Sequence, residues 1–288
     1  MPRGIDHLVL CVNDLKKARI AYETLGFTMT PQAQHPFGTG NTLVQLDGCF
    51  LEVLSVTKPE DVFEATGDNF SFPAFNREYL NQREGMSMLV LDSNDEKADR
   101  AEFLDKGLHV YAPFDFQRQT TLPTGEQVTV GFSLTFLGDP DLEDLAFFTC
   151  KQWRPDLFWK SEYQTHANGA RTIADVYVVA PDTSKAADFL AAFSDAPQIE
   201  TAPGVMSIQT TRGNLSAFTP EAFDRQFPGA FSHVETKAPF FAGFDIKVDD
   251  IASTEALWTK NEIAYRGDDE FTWLAPNEGF GCVISLSA

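Results

Sequence analysis

Positive charge is what this sequence has least of. Across 288 residues, 22 Lys and Arg stand against 42 Asp and Glu, a net charge of −20. A surface of that sign repels nucleic acid and anionic membrane, which bind through neutralising cations. Neither is expected as a partner. Long apolar runs are also missing, none approaching the roughly 18 residues that span a bilayer. The first seven residues enter a strand pattern at once and leave no room for a secretory leader, so a cytoplasmic location is expected. Cysteine is sparse. Cys11, Cys49, Cys150 and Cys282 sit singly in apolar, strand-like stretches without a CxxC pair, and read as buried core thiols. No Walker loop, GxGxxG after a strand, HExxH or GxSxG is present, which leaves nucleotide-dependent, zincin and serine-hydrolase chemistry without a carrier.

What the chain does have is Phe, 26 residues of it, and an internal repeat. Residues 4–12 alternate as a strand. Asn13-Asp14 then caps a helix running to Thr24, with Leu15, Ala18, Ala21, Tyr22 and Leu25 at helical spacing. Gly26 ends it, residues 27–31 begin a short strand, and residues 41–46 and 49–56 form a hairpin about Asp47-Gly48. The same βαβββ order recurs from residue 86, with a helix at 94–106 and strands at 110–114, 128–136 and 145–150. It recurs from residue 172, with a helix at 184–193 and a hairpin of 205–210 and 215–218. A fourth copy starts at residue 241, with a helix at 251–261 and strands at 264–266, 271–274 and 282–286. Polar residues stand at all four strand-to-helix junctions, where they can cap a helix packed on the outer face of a sheet. The segment 57–84 is too long for a plain connection and is expected to fold over something.

On these features the chain resembles the vicinal-oxygen-chelate superfamily of glyoxalases, bleomycin-resistance proteins and extradiol dioxygenases, and more narrowly its glyoxalase-like domain proteins. The opening strand Gly4-Ile5-Asp6-His7 carries the resemblance, with FFTCKQWRPDLFW at 147–159 and HANGA at 166–170. The resemblance implies an α+β fold of four βαβββ modules forming two incomplete barrels. Residues 1–150 would be the first domain, with the active cavity, 151–171 a crossover linker, and 172–288 a second, degenerate domain. It also implies metal ligands on the first and last strands of a module, and a small-molecule ligand. In the enzymes of the group, which include lyases, isomerases and dioxygenases, it implies a divalent metal (Zn, Fe, Mn or Ni). The drug-binding members hold none.

Alternation puts Ile5, His7, Val9 and Cys11 on one strand face, and Phe50, Glu52 and Leu54 on one face of the module's last strand. The implied topology makes these strands neighbours, so His7 and Glu52 are expected together as metal ligands, Glu52 also as a catalytic group. A carboxylate on an apolar face is costly unless paired or metal-bound. The rival reading is a hydrogen-bonded His–Glu pair. In the other modules the matching positions are Met88 with Phe148, Asp175 with Ala217, and Gly243 with about Ile284. His166, beside Asn168-Gly169 in the crossover, either reaches over the cavity as ligand, general acid or substrate contact, with Asn168, or is a solvated turn residue. Arg154 is a candidate for a substrate carboxylate. If the apolar face of strand 128–136 meets the helix, Ser133 and its small polar neighbours line the pocket with Gln45, although an exposed sheet face reads the same way. His35, His109 and His233 are read as surface residues.

Two function classes follow. One is a metal-dependent glyoxalase/dioxygenase-like enzyme acting on a substrate with vicinal oxygens. The other is a metal-free small-molecule binding or sequestering protein of the bleomycin-resistance type. Exposed barrel edges would suit a homodimer.

Overall fold

The computed structural model describes residues 2–121, 125, 127–231, 237–267 and 271–288; His233 lies outside them. Four modules follow one another. The first is β1 (Ile5–Cys11), α1 (Leu15–Thr24), β2 (Ala33–Gln34), β3 (Thr39–Gln45) and β4 (Phe50–Val56). After α2 (Phe72–Gln82) comes the second: β5 (Gly85–Asp92), α3 (Glu96–Asp105), β6 (His109–Val110), β7 (Phe114–Thr121), β8 (Gln127–Gly138) and β9 (Ala146–Gln152). The crossover carries the short α4 (Pro155–Phe158). The third module is β10 (Ala170–Val179), α5 (Thr183–Ser194), β11 (Gln198–Ala202), β12 (Val205–Gln209) and β13 (Asn214–Phe218). Past α6 (Pro220–Gln226), the fourth is β14 (Phe240–Val248), α7 (Ile251–Lys260), β15 (Arg266–Gly267), β16 (Thr272–Leu274) and β17 (Val283–Ser287).

The four module helices begin where an Asp side chain can accept from backbone N–H groups of the first turn: Asp14, Asp95, Asp182 and Asp250. In the second module the cap is Asp95, so α3 starts at Glu96, later than the helix expected from residue 94. Two sheets result. The first runs β2-β3-β4-β1-β5-β9-β8-β6, with β7 also on β8; the second runs β11-β12-β13-β10-β14-β17-β16-β15. Within each module the first strand lies parallel to the last, and paired modules meet through their first strands, antiparallel, at the sheet centre. The sheets curl without closing, as two incomplete barrels of the expected kind.

Among the described residues, three apolar clusters make up the interior. One lies between the sheets and helices and joins all four modules, with Leu8, Leu10, Phe147, Val176, Phe244 and Trp258 among its members. The others occupy the concave side of each sheet. In the first barrel the cluster includes Val9, Leu54, Phe72, Phe136 and Phe148. Here α2 lies against the barrel, its Asn76 amide donating to the Phe72 carbonyl and accepting from Ser87 Oγ. In the second barrel, Phe223 and Phe227, from and just past α6, pack with Tyr177 and Trp273.

Two sequence expectations about faces change. The pairing of β1 with β5 shifts register between Ile5 and His7. Ile5 therefore joins Leu8 and Leu10 in the intersheet core, while His7, Val9 and Cys11 face the first barrel. On β8 the orientation is the reverse of that supposed. Val130, Phe132, Leu134 and Phe136 face the barrel interior, and Ser133 looks to the other side, accepting from Trp153 Nε1 at 3.0 Å.

Candidate functional site

His7 and Glu52 are brought together because β1 and β4 are parallel neighbours, in the register His7↔Phe50 and Val9↔Glu52. Both side chains are buried. His7 Nε2 stands 3.7 Å from Glu52 Oε2, and the imidazole stacks on Phe50 with ring centres 4.3 Å apart. Behind the ring, Nδ1 meets Asp6 Oδ2 at 2.6 Å. A carboxylate only accepts, so the Nδ1 proton is held there and Nε2 is the ring nitrogen turned toward Glu52.

A second imidazole completes the group. His35, read from sequence as a surface residue, is buried and stands with Nε2 3.7 Å from Glu52 Oε1. It is placed by the β2–β3 hairpin, whose turn passes Gly38 at φ +92° with the Lys58 carbonyl so close that a Cβ would come within 2.5 Å. The ring stacks on Phe37 at 5.0 Å, and its Nδ1 meets Thr39 Oγ1 at 2.8 Å. Asn41, on β3, donates from Nδ2 to Glu52 Oε1 at 2.5 Å, while its own Oδ1 is buried without a partner among the described residues. Glu52 thus sits between two imidazoles and an amide.

Burial pushes the His35 pKa down from 6.5 to about 4, against the attraction of Glu52. Between those values the unfolded chain takes up a proton that the folded chain refuses, so stability falls as pH drops from 6.5 through 4. The ceiling on this loss is on the order of 3 kcal/mol. In urea titrations at pH 7 and pH 4, the stability gap between wild type and His35→Gln should narrow toward acid by about that amount. A gap independent of pH would refute the assignment.

The group lines an inner cavity of about 50 Å³ walled by Phe37, Phe50, Phe116, Phe132 and Phe158. Asn41, Leu43, Arg118 and Phe158 border both this cavity and an outer, more polar cleft of about 730 Å³. Gln45 lines the cleft, its amide donating to the Phe158 carbonyl and accepting from Lys160 N–H. His166 is buried outside the cavity. Its Nδ1 accepts from Thr28 N–H at 3.0 Å and its Nε2 bonds the Gln45 carbonyl at 2.8 Å, which ties the crossover to β3 rather than leaving a solvated turn. Asn168 donates to the Leu25 carbonyl and accepts from Ala170 N–H. Arg154 is exposed and paired with Asp156. The structure therefore groups His7 with Glu52, sets Gln45 at the entrance, and places His166, Asn168, Arg154 and Ser133 outside the cavity lining. His109 is exposed.

Among the described residues, no three or more His, Cys, Asp and Glu are arranged as a ready metal site. Donors about 2.1 Å from one ion stand about 3.0–3.4 Å apart, so the two 3.7 Å separations here exceed that by a few tenths of an ångström. The donor chemistry fits a divalent ion: two neutral-capable imidazoles, each backed at Nδ1 by an oxygen, and one carboxylate. The partnerless Asn41 Oδ1 adds an oxygen that lacks a counterpart.

The model of a glyoxalase-like domain matches residues 5–193 of the 288. No curated protein matches the chain. Among solved structures, a hypothetical protein from Staphylococcus aureus superposes with a TM-score of 0.71 at 13% identity, over 99% of both chains. A mutant of 4-hydroxymandelate synthase from Streptomyces coelicolor gives 0.57 at 12% identity, over 99% of this chain and 92% of that one. A fusion of a xylose isomerase-like TIM barrel with a 4-hydroxyphenylpyruvate dioxygenase gives 0.58 at 13%, over 99% of this chain and 48% of the other. At these identities the likeness is one of fold.

Proposed function

Because the chain belongs to the glyoxalase-like domain family, we propose that it is a small-molecule enzyme of the glyoxalase/dioxygenase type, acting at His7, His35 and Glu52 on a substrate with adjacent oxygens. The observation that carries this reading is the buried Glu52 carboxylate with an imidazole Nε2 at 3.7 Å from each of its oxygens, lining a cavity that shares its wall with a larger cleft. A purely structural core has no use for three such groups aimed at one another.

His7, His35 and Glu52 are the residues that would hold a divalent ion of the Zn, Fe, Mn or Ni kind. Such an ion supplies Lewis-acid polarisation of substrate oxygens. The chain's own residues do the rest. Asp6 fixes the His7 tautomer, Thr39 orients His35, and the Phe walls exclude water, which strengthens every charge interaction inside. Glu52, free of any cationic partner within salt-bridge distance among the described residues apart from the imidazoles, is the group available to accept a proton from bound substrate.

Metal analysis of the purified full chain, after supplying Zn²⁺, Fe²⁺, Mn²⁺ or Ni²⁺, tests the proposal. One ion per chain is expected, with affinity reduced at least about a hundredfold in His7→Ala and Glu52→Gln, since even losing a group behind a ligand costs 10–100-fold. A wild type that takes up none of the four ions would leave the second reading, a metal-free binding protein. That reading is favoured by the Asn41 amide on Glu52 Oε1, which satisfies the carboxylate without a cation, and by Met88 and Phe148 at the second module's ligand positions.

A further inference from the structure

Arg118 is the charged group of this cavity that nothing so far explains. On β7, alternation puts Phe114, Phe116 and Arg118 on one face, and Phe116 and Arg118 both reach the cavity lining. The guanidinium stands where the inner cavity opens into the outer cleft, beside Asn41 and Phe158. Burial lowers its pKa, and among the described residues the charge that opposes this is Glu52, acting at a distance and already engaged by Asn41. Among the described residues Arg118 makes no hydrogen bond or ion pair. Other withdrawn arginines are treated differently. Arg3 is paired with Asp99 and Glu102, and Arg212 with Asp92 and the Ile5 carbonyl. A half-buried guanidinium whose five donors meet no protein acceptor among the described residues is open to a ligand in the cleft, and its planar fork matches a carboxylate.

We propose that Arg118 is a substrate-recognition residue, and that the substrate is a small organic acid whose carboxylate it binds at the junction of cavity and cleft. The dimensions set the orientation. A cavity of about 50 Å³ admits a headgroup of a few atoms but not a benzene ring, for which a cavity of about 150 Å³ is known to suffice. The body of the acid lies in the outer cleft of about 730 Å³, and the atoms next to the carboxylate face His7, His35 and Glu52. This inference rests on reading the cavity as the active site and adds the chemical class of its ligand.

The test uses the full chain after treatment with a chelator, so that loss of metal and loss of acid recognition are separate outcomes. 3-Phenylpropionate and its neutral amide, equal in shape, are titrated calorimetrically against wild type, Arg118→Met and Arg118→Lys. The acid should bind wild type about ten- to a hundredfold more tightly than the amide, the factor carried by a charge-assisted pair of hydrogen bonds. Arg118→Met should reduce acid binding to the level of the amide and leave the amide unchanged, which also shows that the variant is folded. Arg118→Lys should fall between, having kept the charge and lost the fork. Equal binding of acid and amide by wild type, undiminished acid binding by Arg118→Met, or no saturable binding of the acid at millimolar concentration would each overturn the proposal. Arg118-dependent binding that persists in a chain unable to hold metal would sustain it while removing the metal from the reading above.

Discussion

Asp175→Asn should make the protein more stable at pH 8 and leave its stability unchanged near pH 3. Asp175 lies on β10 in the register that His7 has on β1: His7 pairs with Phe50 and Asp175 with Asn214, each the first residue of the neighbouring parallel strand. Its carboxyl accepts from Ser216 Oγ and Val176 N–H, and burial, reinforced by the facing Asp245, raises its pKa from 3.8 to about 7. The folded chain therefore keeps a proton that the unfolded chain has released. Stability from this group is complete below pH 3.8 and is lost as pH rises through 7. The ceiling on that loss is on the order of 4 kcal/mol, and since Asp175 is partly accessible to solvent a gain of about 2–3 kcal/mol is the reasonable expectation for the asparagine. Asn preserves the acceptor for Val176 and presents an NH₂ to Ser216. Urea unfolding across pH 3–8 decides the matter. A gain of equal size at every pH, or no gain at pH 8, would show that the carboxyl is not held protonated.

That position also explains why four modules yield one candidate site. The counterpart of Glu52 in the third module is Ser216, and in the fourth Ser285. Ser216 Oγ donates to Asp175 Oδ2 and Ser285 Oγ to Asp245 Oδ2, while Tyr177 and Ser287 extend the network to Ser285 and Asp245. Burial holds both carboxyls above their ordinary range. Where the first barrel aims two imidazoles at a carboxylate beside a cavity, the second ties its carboxyls to hydroxyls and packs Phe223 and Phe227 into the same concave face. The difference lies in which groups face one another, on a nearly identical backbone register.

The sequence made legible what is local or periodic. The helix caps and the strand alternation follow from spacing, while the pairing of a first strand with a last strand is implied by the family resemblance; together they suffice to bring His7 to Glu52. The third- and fourth-module counterparts were placed one residue off, at Ala217 and Ile284, because loops and register shifts between strands change the count without leaving a mark in composition. His35 was out of reach for a different reason. Its position depends on a two-residue strand and on the Gly38 turn, too short to show any period. Arg118 was hidden by its strand, since a charged residue alternating with Phe reads as an exposed edge and the 114–121 strand itself went unread. For His166 the two readings differed in what its ring nitrogens would meet, and only three-dimensional neighbours answer that: Thr28 and Gln45.

Trp258→Ala should destabilise the whole chain by about 3–5 kcal/mol, the usual cost of emptying a buried aromatic site. Trp258 is fully buried on α7, and its Nε1 donates to the Leu25 carbonyl at the end of α1. The last carbonyls of a helix lack partners within it, and here the second half of the chain supplies them. Asn261 bonds the Thr24 carbonyl, and Asn168 shares Leu25 with Trp258. Thr254 in turn holds the Asn168 carbonyl. The same junction leads to the site, because Thr28, just past α1, bonds His166, and His166 bonds Gln45 at the cleft. The intersheet core is continuous through all four modules, so the expected loss appears as one cooperative transition at lower denaturant concentration, reported equally by near-ultraviolet circular dichroism and by fluorescence. Two separated transitions in Trp258→Ala, with the first barrel as stable as before, would show that the halves fold independently and that the staple contributes nothing to the walls of the candidate site.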